Sequence, residues 1–208
     1  MCFTYVTMGK AFFAHLSANY YTLIGGIIIL KVTQIFSMSV KEMRRLSCIA
    51  ICGLLIALRI AIGFLAIPIG NYNRIDFSYI PVALSGYLFG PVLGGFVGGL
   101  SDILTLIFKP SGMLNPIITL SKTMSGIIYG LLLYKQALSV KRTAVTCVLN
   151  FIISDIILTT LGLCTIGGSV FSFIFPIRLL TYTLLLPLNI TVVYLTVKLA
   201  DKSLKRLI

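Results

Sequence analysis

Apolar and polar positions alternate along this chain in blocks rather than residue by residue. From residue 46 onward, six apolar segments at about 46–67, 76–91, 92–108, 115–134, 143–163 and 171–198 are separated by short stretches in which Lys and Arg recur. Blocks of this length belong to membrane-spanning helices, whereas the strands of a membrane barrel would show about ten residues of alternating character. The pattern predicts an all-α membrane protein, a bundle of six transmembrane helices. The second and third segments are short for a hydrocarbon core about 30 Å thick, so one or both tilt or sit surrounded by protein. Residues 1–37 stand apart: the apolar core around TLIGGIII is short for a span, and no small-residue cleavage pattern marks a signal peptide. Met38, just before SVKEMRRL, is a candidate start of the folded unit. The domain reading is an unassigned N-terminal extension over 1–37 and one six-helix membrane domain over 38–208.

The charges orient the bundle. Lys41, Arg44 and Arg45 precede the first segment, Lys135, Lys141 and Arg142 lie between the fourth and fifth, and Lys198, Lys202, Lys205 and Arg206 follow the sixth. The alternate connections hold only Arg74 and Lys109. An excess of Lys and Arg marks the cytoplasmic side, which predicts both termini in the cytoplasm.

Composition agrees and excludes other classes. The chain is 58% hydrophobic and 11% charged, against roughly 25% charged in a soluble domain, and its mean hydropathy is +1.06. The net charge of +12 sits between apolar runs rather than in one stripe, so its partner is the lipid bilayer and not nucleic acid. The cysteines form no CxxC pair, and no His/Cys cluster exists for a metal, so no cofactor is expected. There is no GxxxxGK[ST] loop, HExxH or GxSxG elbow. The chain is read as no enzyme and as unable to hydrolyse ATP itself. Nor is there an inverted repeat of broken helices, which favours a small binder driven by a separate engine.

Two stripes of small residues end on charges. Gly94 and Gly98 lead at one-turn spacing to Asp102, with Gly95 and Gly99 beside them, and Lys122, Gly126, Gly130 and Tyr134 repeat the spacing. Small stripes let helix backbones approach closely in lipid. With about 1.5 Å of rise per residue, Arg59, Asp102, Lys122, Asp155 and Arg178 fall in one layer roughly 10–12 Å below the outer surface. Buried charges either pair with one another or face a wet cavity. Three cations against two carboxylates leave a positive excess, and Arg74 and Lys109 add to it from the loops above. The layer fits a receptor for an anion that opens outward. Phe77, Tyr79 and Tyr134 are expected in the same half, and aromatic walls with a few polar groups suit a flat organic ligand. The connections at 68–76 and 109–115 are the natural lids.

Three stretches, RIDFSYIPVALSGYLFGPVLGGFVGGLSDIL, KPSGMLNPIITLSKTMSGIIYGLLLY and PIRLLTYTLLLP, together resemble the folate-family substrate-binding S components of energy-coupling factor (ECF) vitamin transporters. The resemblance spans about residues 46–198. It rests on Phe77, Pro81, Gly86, the run Leu88 to Pro91 and Asp102, then on Pro110, Ser111, Gly112, Pro116, Thr119, Leu120, Ser121 and the run Gly126 to Gly130. The chain departs from the family pattern at Met113, Leu114, Asn115, Ile117, Ile118 and Lys122.

The resemblance implies a six-helix subunit in a prokaryotic plasma membrane that captures a vitamin outside the cell. It would then join a transmembrane coupling protein (EcfT-like) and two ATPases, which topple it so that the site opens inward. Gly53, Ala57 and Ala61 would face the coupling protein. With folate as ligand, Asp102 would accept from the pterin edge, and Arg59, Arg74, Lys109, Lys122 or Arg178 would take the glutamate carboxylates. Phe77, Tyr79 and Tyr134 would pack on the rings, and Ser121 would add a hydrogen bond. Another vitamin on the same architecture, a stand-alone secondary transporter and a structural scaffold with mutually paired charges are the alternatives.

Overall fold

The computed structural model describes residues 32–40, 42–43, 46–69, 73–108, 115–167 and 171–207; for 67–69, 73–75, 166–167, 171–174, 177 and 203–207 it describes the backbone alone. A helical stretch over 32–40 is followed by α1 (Leu46–Phe64), β1 (Ile67–Ile69), β2 (Asn73–Ile75), α2 (Tyr79–Phe89), α3 (Pro91–Phe108) and α4 (Pro116–Leu133). Then comes α5, which is α-helical over Val140–Asn150, π-helical over Phe151–Leu158 and α-helical again over Thr159–Gly167, and finally α6 (Phe171–Leu207). Helices α1 to α6 follow the six apolar segments in order. Five of them are long and apolar enough to cross a membrane, while α2 is an 11-residue apolar helix.

The connection read as a loop over 68–76 differs. It holds an antiparallel hairpin, with Ile67 opposite Ile75, Pro68 opposite Arg74 and Ile69 opposite Asn73. Three-residue strands are too short to print a period of two on the sequence.

Burial explains how apolar helices find a register when both faces are oily. On α1, Cys48, Cys52, Leu55, Ile56 and Arg59 are buried at helical spacing, and the first four join Phe89, Leu93 and Val97 in one core cluster. Its other face, with Leu46, Ile49, Leu54 and Leu58, is exposed, as a surface in contact with lipid would be. A second cluster joins Val82, Ala83, Tyr129, Leu133 and Cys147 to Val193 and Val197 of α6.

The tightest seam runs between α3 and α4. A Cβ on Gly94 would stand 2.6 Å from the Gly126 carbonyl oxygen, and one on Gly98 would strike the Lys122 carbonyl; on α2, a Cβ on Gly86 would stand 2.8 Å from the Gly130 nitrogen. These glycines are there because backbone meets backbone, the ordinary basis of small-residue packing in lipid. Gly90 answers a different need: between α2 and α3 its φ is +86°, a left-handed conformation open to glycine at little cost. Ser39 staples this elbow. Its hydroxyl donates to the Phe89 carbonyl at 2.7 Å and accepts from the Val92 N–H at 3.1 Å, satisfying one orphan group at each helix end. A boundary between residues 37 and 38 falls inside the helical stretch that carries Ser39.

Candidate functional site

A cavity of about 80 Å³ lies among α1, α2, α4, α5, α6 and the β2–α2 connection. Each element brings its share through local geometry. Asp76 accepts from the Ser78 N–H (3.1 Å) and hydroxyl (2.6 Å), which starts α2 and sets Phe77 and Tyr79 at the cavity with ring centroids 6.3 Å apart. On α4, Lys122, Ser125 and Tyr129 recur at i, i+3 and i+7, so one face of the helix supplies all three. On α6, Tyr182 and Asn189 take the same spacing, with Leu185 and Leu186 between them.

Helix α5 contributes through its π-helical middle. The wider turn redirects main-chain carbonyls toward side chains of neighbouring helices. The Ser121 hydroxyl donates to the Ser154 carbonyl at 2.8 Å and lies 2.8 Å from the Thr159 hydroxyl, which donates to that carbonyl as well. The Arg178 guanidinium donates to the Asp155 carbonyl at 3.2 Å and to the Tyr182 hydroxyl at 3.3 Å, and stacks over that ring at 5.0 Å. These bonds fix the segment that presents Asp155 to the cavity, where its carboxylate lies 3.8 Å from the Lys122 ammonium.

The five charges assigned to one layer do converge, but largely by pairing. Arg59 donates to the Gly98 carbonyl at 2.7 Å and to the Ser101 hydroxyl, with Asp102 at 4.0 Å; Asp102 also accepts from Thr119 at 3.0 Å. The cavity is lined by Arg59, Lys122, Asp76 and Asp155, two cations and two carboxylates. The positive excess read from the sequence is therefore not displayed by the described side chains that surround it.

Of the residues singled out in the sequence, Arg59, Phe77, Tyr79 and Lys122 line this space. Asp102, Ser121 and Arg178 stand behind its wall, buried at 7%, 0% and 3% exposure and engaged in the bonds just given. Tyr134 lies away from it, at the C-terminal end of α4, with its ring beside Gly90 and under the Lys135 ammonium. The Arg74 side chain and Lys109 lie outside the described residues. Gly53, Ala57 and Ala61 are exposed on the outer face of α1, and a Cβ on Gly53 would meet nothing within 4 Å.

The sequence reading missed Ser125, Tyr129, Asn150 and Asn189. They form, with Val82 and Cys147, a neutral polar end of the cavity about a turn or more beyond the charged level. Charge alone could not reveal them; the α4 face continued from Lys122 would have given two. Among the described residues, no group of His, Cys, Asp and Glu could hold a metal ion.

The family model "ECF transporter, substrate-specific component" matches residues 44–198. The folate transporter FolT of Clostridium novyi (strain NT) is 34% identical over 129 residues, which cover 62% of this chain and 75% of that protein. A solved structure of FolT bound with folic acid matches with a TM-score of 0.68 at 27% identity, covering 72% of this chain and 92% of that one.

Proposed function

The chain belongs to the family of ECF transporter substrate-specific components, and from that premise we propose that it is a folate-binding S component. It is a multi-pass membrane protein and a transport component, not an enzyme. The observation that carries the folate reading is the coincidence of two facts: the relatives it matches include a folate transporter and a FolT structure with folic acid bound, and its own bundle encloses a polar, aromatic-lined cavity.

The cavity's size and charge suit one part of folate better than the other. About 80 Å³, against the roughly 150 Å³ that takes up one benzene ring, encloses at most part of a ring system and not an extended molecule with a glutamate tail. Balanced charges and a neutral polar end suit an uncharged pterin. The carboxylates then belong toward the hairpin, where Lys122 is met first and Arg74 and Lys109 supply further cations. Arg59, held by Gly98, Ser101 and Asp102 among others, shapes the wall; Lys122, whose ammonium is met among the described residues by the 3.8 Å contact to Asp155, can turn to the ligand. Asp102 and Arg178 act through the helices they tie down.

On this reading α2, sheltered by its neighbours, completes six spans with both termini in the cytoplasm of a prokaryotic cell, and the helical stretch over 32–40 belongs to the folded unit. The open stripe of Gly53, Ala57 and Ala61 is the surface for a transmembrane coupling protein driven by two ATPases. Titrating the purified full chain with folate, thiamine and riboflavin tests the reading: saturable binding of folate alone supports it, and binding of another vitamin instead moves the chain to a different ligand on the same architecture. Uptake by vesicles lacking any ATPase would instead indicate a stand-alone transporter.

A further inference from the structure

A groove of about 550 Å³ runs along the seam between α3 and α4, apart from the cavity. Gly95, Phe96, Gly99 and Ile103 of α3 line it, and Phe36 and Met43, which flank Ser39 in the sequence, join it at the end where Ser39 holds Val92. Its surface is apolar in effect, because the two threonines in it are engaged: Thr123 donates to the Thr119 carbonyl at 3.0 Å, and Thr119 to Asp102 at 3.0 Å. Between Val92 and Ile103 the helix rises about 17 Å, close to half of a hydrocarbon core about 30 Å thick. A groove of that depth passes through one leaflet, the reach of an acyl chain rather than of a second spanning helix.

A cation marks the end of the groove at the α2–α3 elbow. Lys135, just past the end of α4, has a φ of +51°, the only positive value at a non-glycine residue among those described. Glycine is the usual occupant of such a position after a helix, and a lysine in the left-handed region is uncommon. Its exposed ammonium donates to the Met38 sulfur at 3.7 Å and lies 5.2 Å from the centre of the Tyr134 ring, beside Gly90. No carboxylate among the described residues pairs with it. Around Met43 the sequence adds Lys41, Arg44 and Arg45 against Glu42, so this border is positive however those side chains turn.

We propose that the groove holds one anionic phospholipid, an acyl chain lying along Gly95 and Gly99 and the phosphate-bearing head group meeting Lys135. The glycines that let α3 approach α4 also leave space where other residues would place side chains, and methylenes fill it. A neutral lipid would satisfy the apolar length alone, and a free phosphate only the charge; an anionic lipid satisfies both. Lys and Arg at a membrane border hold such lipids in the cytoplasmic leaflet, which is the leaflet at the elbow on the orientation proposed above.

The full chain, purified in mild detergent with equal amounts of phosphatidylglycerol and phosphatidylcholine, tests this by native mass spectrometry, a readout independent of orientation. It is expected to retain one phosphatidylglycerol, roughly tenfold or more in preference to phosphatidylcholine. Lys135→Gly removes the cation and suits the left-handed backbone, so it should melt no lower than the parent yet lose about fivefold of that preference, the worth of one lysine near an anionic head group. Ile103→Trp, which fills the far end of the groove, should lower retention of phosphatidylglycerol. Equal retention of the two lipids by the parent, an unchanged preference in Lys135→Gly, or retention unmoved by Ile103→Trp overturns the site. No retained lipid at all also overturns it and leaves the groove to a second copy of the chain or another protein. Lys135→Gly is expected to bind folate as the parent does, and a parent that binds no folate would count against the folate reading without touching this result.

Discussion

The two halves of the bundle are built on opposite principles. Where α3 meets α4, glycines bring backbone against backbone: Gly94 faces Gly126, and Gly98 faces the Lys122 carbonyl, with no room for a methyl group. Where α5 and α6 close the other side, an eight-residue π-helical stretch and two prolines inside α6, Pro176 and Pro187, interrupt the regular ladder. Side chains do the joining there. Every polar side chain that lines the cavity beyond the charged level, apart from Ser125 and the tyrosines, comes from that second half. The glycine seam is a fixed wall, and the irregular half holds and adjusts the groups a ligand would meet. Rigidity and recognition are thus assigned to different helices, and α4, with glycines on one face and Lys122, Ser125 and Tyr129 on another, joins the two.

The hardest test of this division is to put a side chain into the seam. Gly126→Leu would drive its Cβ into the Gly94 backbone, which cannot move without parting the two helices. A cost above about 3 kcal/mol is expected, beyond the usual range for overpacking. It would be read as loss of the cooperative thermal transition in detergent and of the monodisperse peak. Gly53→Leu is the matched control, since open space surrounds that position. It should leave the melting temperature no lower, since a helix former replaces an exposed mid-helix glycine, and a cost there like that at Gly126 would mean that glycine content, not the seam, holds the bundle.

The opposite half is tested at the Lys122–Asp155 pair. Stripping a fully buried carboxylate of its cation costs about 3–5 kcal/mol; with 22% and 19% of the two side chains exposed, about 1–3 kcal/mol is expected. Lys122→Met should therefore lower the melting temperature and weaken folate binding about tenfold or more. Adding Asp155→Asn removes the stranded charge. The double variant should regain stability but not affinity. Recovery of both would make the pair a structural tie with no part in binding, and the functional half of the comparison would lose its cation.

How far these halves were legible follows from helical geometry. The spacing of Gly94, Gly98 and Asp102 announced a close-packed seam, and each apolar block became a helix, because length and hydropathy are local properties. The stripe from Lys122 to Tyr134 misled because four-residue steps drift by about 40° each against a 3.6-residue turn. After three steps Tyr134 has turned about 120° from Lys122, whereas Tyr129, seven residues on, returns to its face. On α5 the wider π turn shifts the register again, so counting in steps of four from Asp155 does not reach Asn150. The depth argument found the charged level because charges in lipid stand out. It was blind to Asn150 and Tyr129, whose importance comes from what surrounds them, and the pairing of Arg59 with Asp102 could not be told from a shared ligand site until both helices were in place.

The finest test sets two tyrosines against each other, one in each setting. Tyr79 lines the cavity and Tyr134 sits at the far end of α4 beside the elbow stapled by Ser39, yet both hydroxyls are buried without a partner among the described residues. Removing such a hydroxyl relieves an unpaired group, so both Phe variants should stay within about 1 kcal/mol of the parent in stability. Their ligand binding should separate. Tyr79→Phe deletes a donor that a bound head would engage, a loss of about 0.5–1.5 kcal/mol or roughly two- to tenfold in affinity. Tyr134→Phe should bind folate as the parent does, because its hydroxyl is about 18 Å of helix away from Lys122. Equal losses from both would mean that the tyrosines act through the packing of α4, and that the cavity walls recognise shape without reading polar groups at all.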